Sequence, residues 1–179
     1  MKARTDKIDL SFNNYVEEAF PKIEKNMCEF TFFNGAFSLI DVIDYVLEKT
    51  GTACVDISSW VASYASFNHI IDFLEDQKLN KMRFLMDSGF ARTRKELYNH
   101  IQKWYPDSIA LTKTHAKFVL IYNNEYSFVI ETSANLNKNN RLESFRITED
   151  NKYCDFFKST FDDIYDKSRA GIRLNDIYG

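Results

Sequence analysis

His115 and Lys117 stand two residues apart at the start of an apolar run, and Ser133 and Asn135 repeat that spacing where the run ends. Together the four side chains suit a phosphodiester. A neutral imidazole can attack phosphorus or hand a proton to a leaving oxygen, because its pKa lies near neutrality. A lysine ammonium supplies fixed positive charge to non-bridging oxygens, where charge builds in the transition state. The serine hydroxyl and asparagine amide can add neutral hydrogen bonds to the same oxygens. None of the four requires a metal or another cofactor.

The stretch between the pairs must bring them together. It reads as two apolar strands, and Asn123 and Asn124 tolerate the positive φ of a turn. A three-residue loop over 123–125 sets Tyr122 opposite Tyr126, His115 opposite Ser133 and Lys117 opposite Glu131. Directly paired residues share a sheet face, so these four would gather on one side at the open end of the hairpin. Ala116, Phe118, Leu120, Tyr122, Tyr126, Phe128, Ile130 and Thr132 form the other, mostly apolar face. A register shifted by one residue would scatter the polar groups, so the arrangement depends on loop length.

Around the hairpin, strand-like EFTFF (29–33), TACVDISS (52–59) and KMRFLMD (81–87) alternate with helical stretches at 34–51, 67–79 and 92–104. Strand-like ESFRI (143–147) and a helical segment over 153–165 follow it. Such alternation predicts an α/β fold: a mixed, largely parallel sheet sandwiched between helices, with an antiparallel hairpin carrying the motif. Both hairpin faces are apolar, so helices should cover both sides of the sheet. The expected organisation is a helical N-terminal lead-in over 1–27, interrupted by Pro21, a main domain over 28–166 and a C-terminal tail over 167–179.

At 179 residues and 45% hydrophobic, the chain can bury the core of one domain. A net charge of −3 gives no global basic field, so nucleic acid would have to be held by local patches. Arg92, Arg94 and Lys95 form one such patch. Lys138, Arg141 and Arg146 form another just after the motif, and they are assigned to substrate binding. Cys28, Cys54 and Cys154 lack metal-ligand spacing and read as reduced thiols of a cytoplasmic protein. The start, MKARTDKIDLSF, has no secretory apolar core, and no apolar run is long enough for a membrane span. Asp87 reads as a turn or capping residue, His69 and His100 as surface or capping histidines, and Trp60 and Trp104 as packing residues.

With these residues in hand, the chain resembles the phospholipase D superfamily. That family's motif is H-x-K, an Asp five residues after the Lys, then G-S-x-N, often continuing as SANL. Here His115-Ala116-Lys117 and Thr132-Ser133-Ala134-Asn135-Leu136 match it, within a resemblance covering about residues 28 to 165. Tyr122 stands at the Asp position and Thr132 at the Gly position. The resemblance implies that Glu143 is the acidic residue that orients the histidine and that His115 is a nucleophile forming a phosphohistidine. One motif per chain implies a homodimer, in which the second His115 protonates the leaving group before water hydrolyses the intermediate. The activity it implies is that of a metal-independent phosphodiesterase of the nuclease branch, acting on DNA or RNA. Two alternatives share the fold: a catalytically silent phosphate or nucleic-acid binding module, and a hydrolase of phospholipids or small phosphodiesters.

Overall fold

Side-chain caps decide where the main helices begin. Ser38 and Asp41 form a reciprocal capping box, Ser63 accepts from the Ser66 amide, and Asp150 accepts from the Tyr153 amide. These caps start α2 (Leu39–Thr50) later than the helical pattern from residue 34, and α3 (Tyr64–Glu75) earlier than the pattern from 67. They also start α6 (Asn151–Arg169) two residues before the expected 153. At its other end α2 stops on Gly51, whose φ of +76° is open to glycine at little cost. The computed structural model describes residues 15–138 and 140–172. Of the expected lead-in, residues 1–14 lie outside the described part, as do 173–179 of the expected tail; α6 runs through the 166/167 position to Arg169.

The remaining elements are α1 (Val16–Ala19), β1 (Cys28–Phe33), β2 (Ala53–Ser59), β3 (Leu79–Asp87), α4 (Phe90–Thr93), α5 (Lys95–Trp104), β4 (Ile109–Thr112), β5 (Phe118–Tyr122), β6 (Ser127–Thr132) and β7 (Glu143–Glu149). They build one seven-stranded mixed sheet in the order β1-β7-β6-β5-β2-β3-β4. The fold is α/β, as the alternation of elements predicts, and helices cover both faces. One apolar layer packs α2, α3 and α5 against Val55, Ile57, Val119, Ile121, Phe128 and Ile130. The other packs α6, through Cys154, Phe161 and Tyr165, against Leu85, Leu120 and Val129.

Parallel pairing is confined to β2, β3 and β4, and the other four pairings are antiparallel. Connection length explains the balance. A parallel neighbour needs a crossover of roughly a dozen residues or more. Only 113–117 separate β4 from β5, and 123–126 separate β5 from β6. The strand β4 itself is too short to stand out in the sequence pattern.

The hairpin loop corrects the expected register. Its turn holds four residues, 123–126, and Tyr122 pairs with Ser127 instead of Tyr126. Asn123 sets that length: its side-chain oxygen accepts from the amides of Glu125 (2.9 Å) and Tyr126 (2.8 Å). This Asx-type closure holds one more residue in the loop than a bare turn requires. Consequently Glu131 pairs with Phe118, and the Lys117 carbonyl accepts from the Thr132 amide at 3.2 Å. The expected pairings of His115 with Ser133 and Lys117 with Glu131 do not form.

Candidate active site

Strand alternation does not gather the polar residues, because His115 and Lys117 lie outside any strand. They belong to the link 113–117, which must pass from β4 to β5 over the ends of β3 and β2. Five residues suffice, since three strand spacings amount to about 14 Å. Asp87, the last residue of β3, steadies this passage. Its carboxylate accepts from the Gly89 amide at 2.8 Å and from the Thr114 amide at 3.3 Å. A Cβ at position 89 would stand 3.0 Å from that same carboxylate, so the approach suits glycine. Ser58, near the end of β2, donates to the Ala116 carbonyl at 3.0 Å.

Held on both sides, His115 is exposed over the carboxyl ends of β2 and β3. Ligands of α/β sheets bind at that edge. Lys117 folds back so that Nζ lies 3.2 Å from His115 Nδ1 and donates to the His115 carbonyl at 2.9 Å. Partial burial pulls the lysine's pKa below its ordinary value, and the charge of Glu143 works against that shift.

The second half of the motif is fixed by hydroxyls. Thr132 Oγ1 donates to the Ser144 carbonyl at 2.8 Å and accepts from the Ala134 amide at 2.9 Å. These bonds hold the turn at the position where the family pattern has glycine. Ser133 Oγ donates to the Glu143 carboxylate and accepts from the Ser144 amide at 3.0 Å. Asn135 comes under the control of Ser59, which the sequence analysis does not single out. The buried Ser59 hydroxyl accepts from the Leu136 amide at 3.1 Å, donates to the Val61 carbonyl at 2.9 Å and lies 3.5 Å from Asn135 Oδ1. The Ser63 amide donates to the Leu136 carbonyl at 2.9 Å, so the loop after β2 and the SANL segment form one clamp.

The five residues assigned to chemistry therefore meet at one end of the sheet. His115 touches Lys117, Ser133 touches Glu143, and Lys117 lies within the field of Glu143. Asn135 sits on the Ser59 clamp, whose next residue, Trp60, lies 5.6 Å from His115 between ring centroids. Lys117 and Ser133 line a hollow of about 410 Å³ together with Phe118, Glu131, Arg146 and Phe157. Arg146 reaches it from the α6 side, where its guanidinium lies 3.4 Å from Glu131. Lys138 and Arg141 are exposed on the stretch between Asn137 and β7.

Tyr122, at the family's Asp position, lies at the opposite end of β5, five residues and about 16 Å of strand from Lys117. Its hydroxyl donates to the buried Asp56 at 3.0 Å. Burial, with Asp56 adding to it, pushes the tyrosine pKa up. Asp56 also receives two hydrogen bonds from Arg83, at 2.7 and 2.6 Å, and Arg83 reaches Asp162 at 2.6 Å. The departure at Tyr122 thus removes no group from the end where His115 stands. The carboxylate that the Tyr122 hydroxyl meets is carried by the middle of β2.

No family model matches the sequence, and no curated protein matches it. Among solved structures, NucT from Helicobacter pylori is similar with a TM-score of 0.58 at 15% identity, over 79% of this chain and 98% of that one. Phosphatidylserine synthase from Haemophilus influenzae Rd KW20 gives a TM-score of 0.55 at 12% identity, over 78% of this chain and 38% of that one. Polyphosphate kinase from Porphyromonas gingivalis gives 0.52 at 15% identity, over 79% of this chain and 26% of that one. The chain thus spans well under half of the latter two proteins and nearly all of NucT. All three have phospholipase D-superfamily folds, and this chain shares that fold.

Proposed function

We propose that the chain is a metal-independent phosphodiesterase that cleaves DNA or RNA through a phosphohistidine at a homodimer interface. The observation that carries this reading is the contact of Lys117 with His115, beside a hollow that Ser133 also lines. The shared fold supports a phosphate-bearing substrate, since two of the similar proteins are named for a phospholipid and for polyphosphate. Among the described residues no helix is long and apolar enough to cross a membrane, which suits a substrate met in water.

The chemistry follows from the groups present. Lys117 has three donors, of which two are engaged by His115. With the lysine charged, Nδ1 is the acceptor in that contact, and a neutral ring then carries its hydrogen on Nε2. An entering phosphate competes for the ammonium, and its transfer to a non-bridging oxygen releases Nδ1. The ring hydrogen can then sit on Nδ1, leaving the Nε2 lone pair free to attack phosphorus. The phosphorus–oxygen bond to the leaving group breaks as that oxygen takes a proton from His115 of a second copy. Water then attacks the phosphohistidine, gives its proton to the second imidazole and restores the first. Asn135 donates to the non-bridging oxygens, and Ser133 joins it by turning its single hydroxyl hydrogen from Glu143 to the phosphate, while the Ser144 amide keeps the Ser133 oxygen in place. Lys138, Arg141 and Arg146 receive the flanking backbone phosphates.

One observation favours a second reading. A ring with Nδ1 turned to an ammonium binds phosphate through Nε2–H more readily than it attacks phosphorus, which describes a silent binding module. Cleavage of labelled DNA and RNA in EDTA separates the two, with solution mass measured on the same sample. The hydrolase reading expects a dimer whose cleavage disappears in His115→Ala. Persistent cleavage in that variant removes His115 as nucleophile. Salt-dependent binding without cleavage by the unmodified protein selects the silent module.

A further inference from the structure

Trp60 is the residue at the site that neither the fold nor the reaction explains. It follows the last residue of β2 and is 49% exposed, which forfeits much of what a tryptophan gains from burial. The residues on either side of it are nonetheless held by hydrogen bonds and burial. Ser59 before it is fully buried and carries the clamp onto Val61, Asn135 and Leu136. Ala62 after it is 3% exposed and bridged to Leu136, and the Ser63 amide is bonded to the same residue. A large planar side chain, half-exposed, is therefore rooted between fixed neighbours. The His115 ring lies 5.6 Å away, tilted by 46°.

We propose that Trp60 is a stacking platform for the base next to the scissile phosphate, and that the substrate is accordingly single-stranded nucleic acid. The inference rests on the reading that phosphorus sits at His115. Given that position, the neighbouring nucleotide comes within reach of the indole face. A base can offer its own face to that indole only when it is out of a duplex stack, because paired bases expose edges alone. The rigid clamp favours stacking, since a ring already ordered loses little freedom on binding. Lipid headgroups and alkyl phosphodiesters carry no flat group for this surface. Trp60 would act by binding and positioning, and no proton or bond passes through it.

The test uses the full chain carrying Trp104→Phe, which leaves Trp60 as the single indole; Trp104 is itself 60% exposed on α5 and outside the site. Trp60 fluorescence is titrated with a thymidylate oligonucleotide, with an abasic strand of equal length and charge, and with the duplex form. Saturable quenching by thymidylate is expected, with affinity for the abasic strand lower by about tenfold or more and no quenching by duplex. With affinity read instead by the fluorescence anisotropy of end-labelled strands, adding Trp60→Ala should bring the thymidylate affinity down to the abasic level, and Trp60→Phe should recover part of it. Equal affinity for both strands, or an unchanged Trp60→Ala, overturns the inference. Cleavage of the same strands in EDTA keeps this apart from the wider reading. Equal turnover of abasic and thymidylate strands leaves a nuclease without a stacking residue, whereas stacking without turnover leaves the platform and removes the hydrolase.

Discussion

Two charged clusters share the same central strands, one at mid-strand beneath α6 and one at the carboxyl ends, and they are built differently. Beneath α6, Asp56 is fully buried and takes hydrogen bonds from both Arg83 and Tyr122. Arg83 also reaches Asp162, which Lys158 holds at 2.6 Å, and its guanidinium lies over the Phe161 and Tyr165 rings. Its charged form is strengthened although burial opposes it, because two carboxylates surround it. At the carboxyl ends His115 is exposed and Lys117 keeps a spare donor beside an open hollow. Buried charges must be satisfied by protein, since no water reaches them. Charges at an accessible edge can keep donor capacity for a ligand. The first cluster joins α6 to the sheet; the second leaves a lysine donor accessible, as the proposed phosphate site requires.

If the two clusters are separate in this sense, variants should divide cleanly between rate and stability. The largest effect belongs to His115→Ala: a loss of cleavage of about a thousandfold or more, with little change in melting temperature because the side chain is exposed. Matched cleavage assays and thermal melts check both halves of that statement. Arg83→Ala should do the reverse. It leaves Asp56 uncompensated, and urea unfolding should report a loss of about 3–5 kcal/mol, while the folded fraction still binds phosphate.

Tyr122→Asp tests the comparison most directly, because it restores the family's residue. A second carboxylate there would face buried Asp56 without the tyrosine's donor, so stability should fall by about 1–3 kcal/mol with no gain in cleavage. A gain in cleavage would show that the two clusters are coupled after all. The smallest effect concerns pH. Burial lowers the Lys117 pKa, so the lysine loses its proton at lower pH than an exposed lysine does as pH rises. Binding of a phosphodiester strand should therefore weaken on the alkaline side before the ordinary lysine range is reached. Lys117→Arg should push that decline to higher pH, since a guanidinium stays charged. Affinity measured across an alkaline series decides it.

Much of the fold was legible. Alternating apolar segments marked β1, β2, β3 and the hairpin strands, and the helices between them appear where the apolar spacing puts them. The exceptions have local causes. Caps at Ser38, Ser63 and Asp150 moved helix starts, and IALT at 109–112 is too short to announce β4. The candidate site was legible as a set of residues and not as a geometry. A three-residue loop would bring His115 opposite Ser133 by strand pairing, but Asn123 lengthens the loop and His115 never enters a strand. Ser59 was overlooked because a serine ending a buried strand carries no pattern that points at Asn135, 76 residues away. A tryptophan in sequence reads as a packing residue, and the exposure of Trp60 depends on the loop that follows it, which only the tertiary structure places.

The chain's order of residues determined which chemical groups exist, how far apart they lie along the backbone and which segments can be strand or helix, because these depend on side-chain type and short-range periodicity. It also determined that a single H-x-K element is present, followed by the S-x-N of Ser133-Ala134-Asn135. Tertiary structure alone decided that the 113–117 link crosses the ends of β2 and β3, and that crossing sets His115 beside Trp60. It alone set the Tyr122 hydroxyl on the buried carboxylate of Asp56. Both outcomes follow from the order of strands in the sheet, which is set by contacts between segments distant in sequence, and periodicity within a segment carries no record of its neighbours.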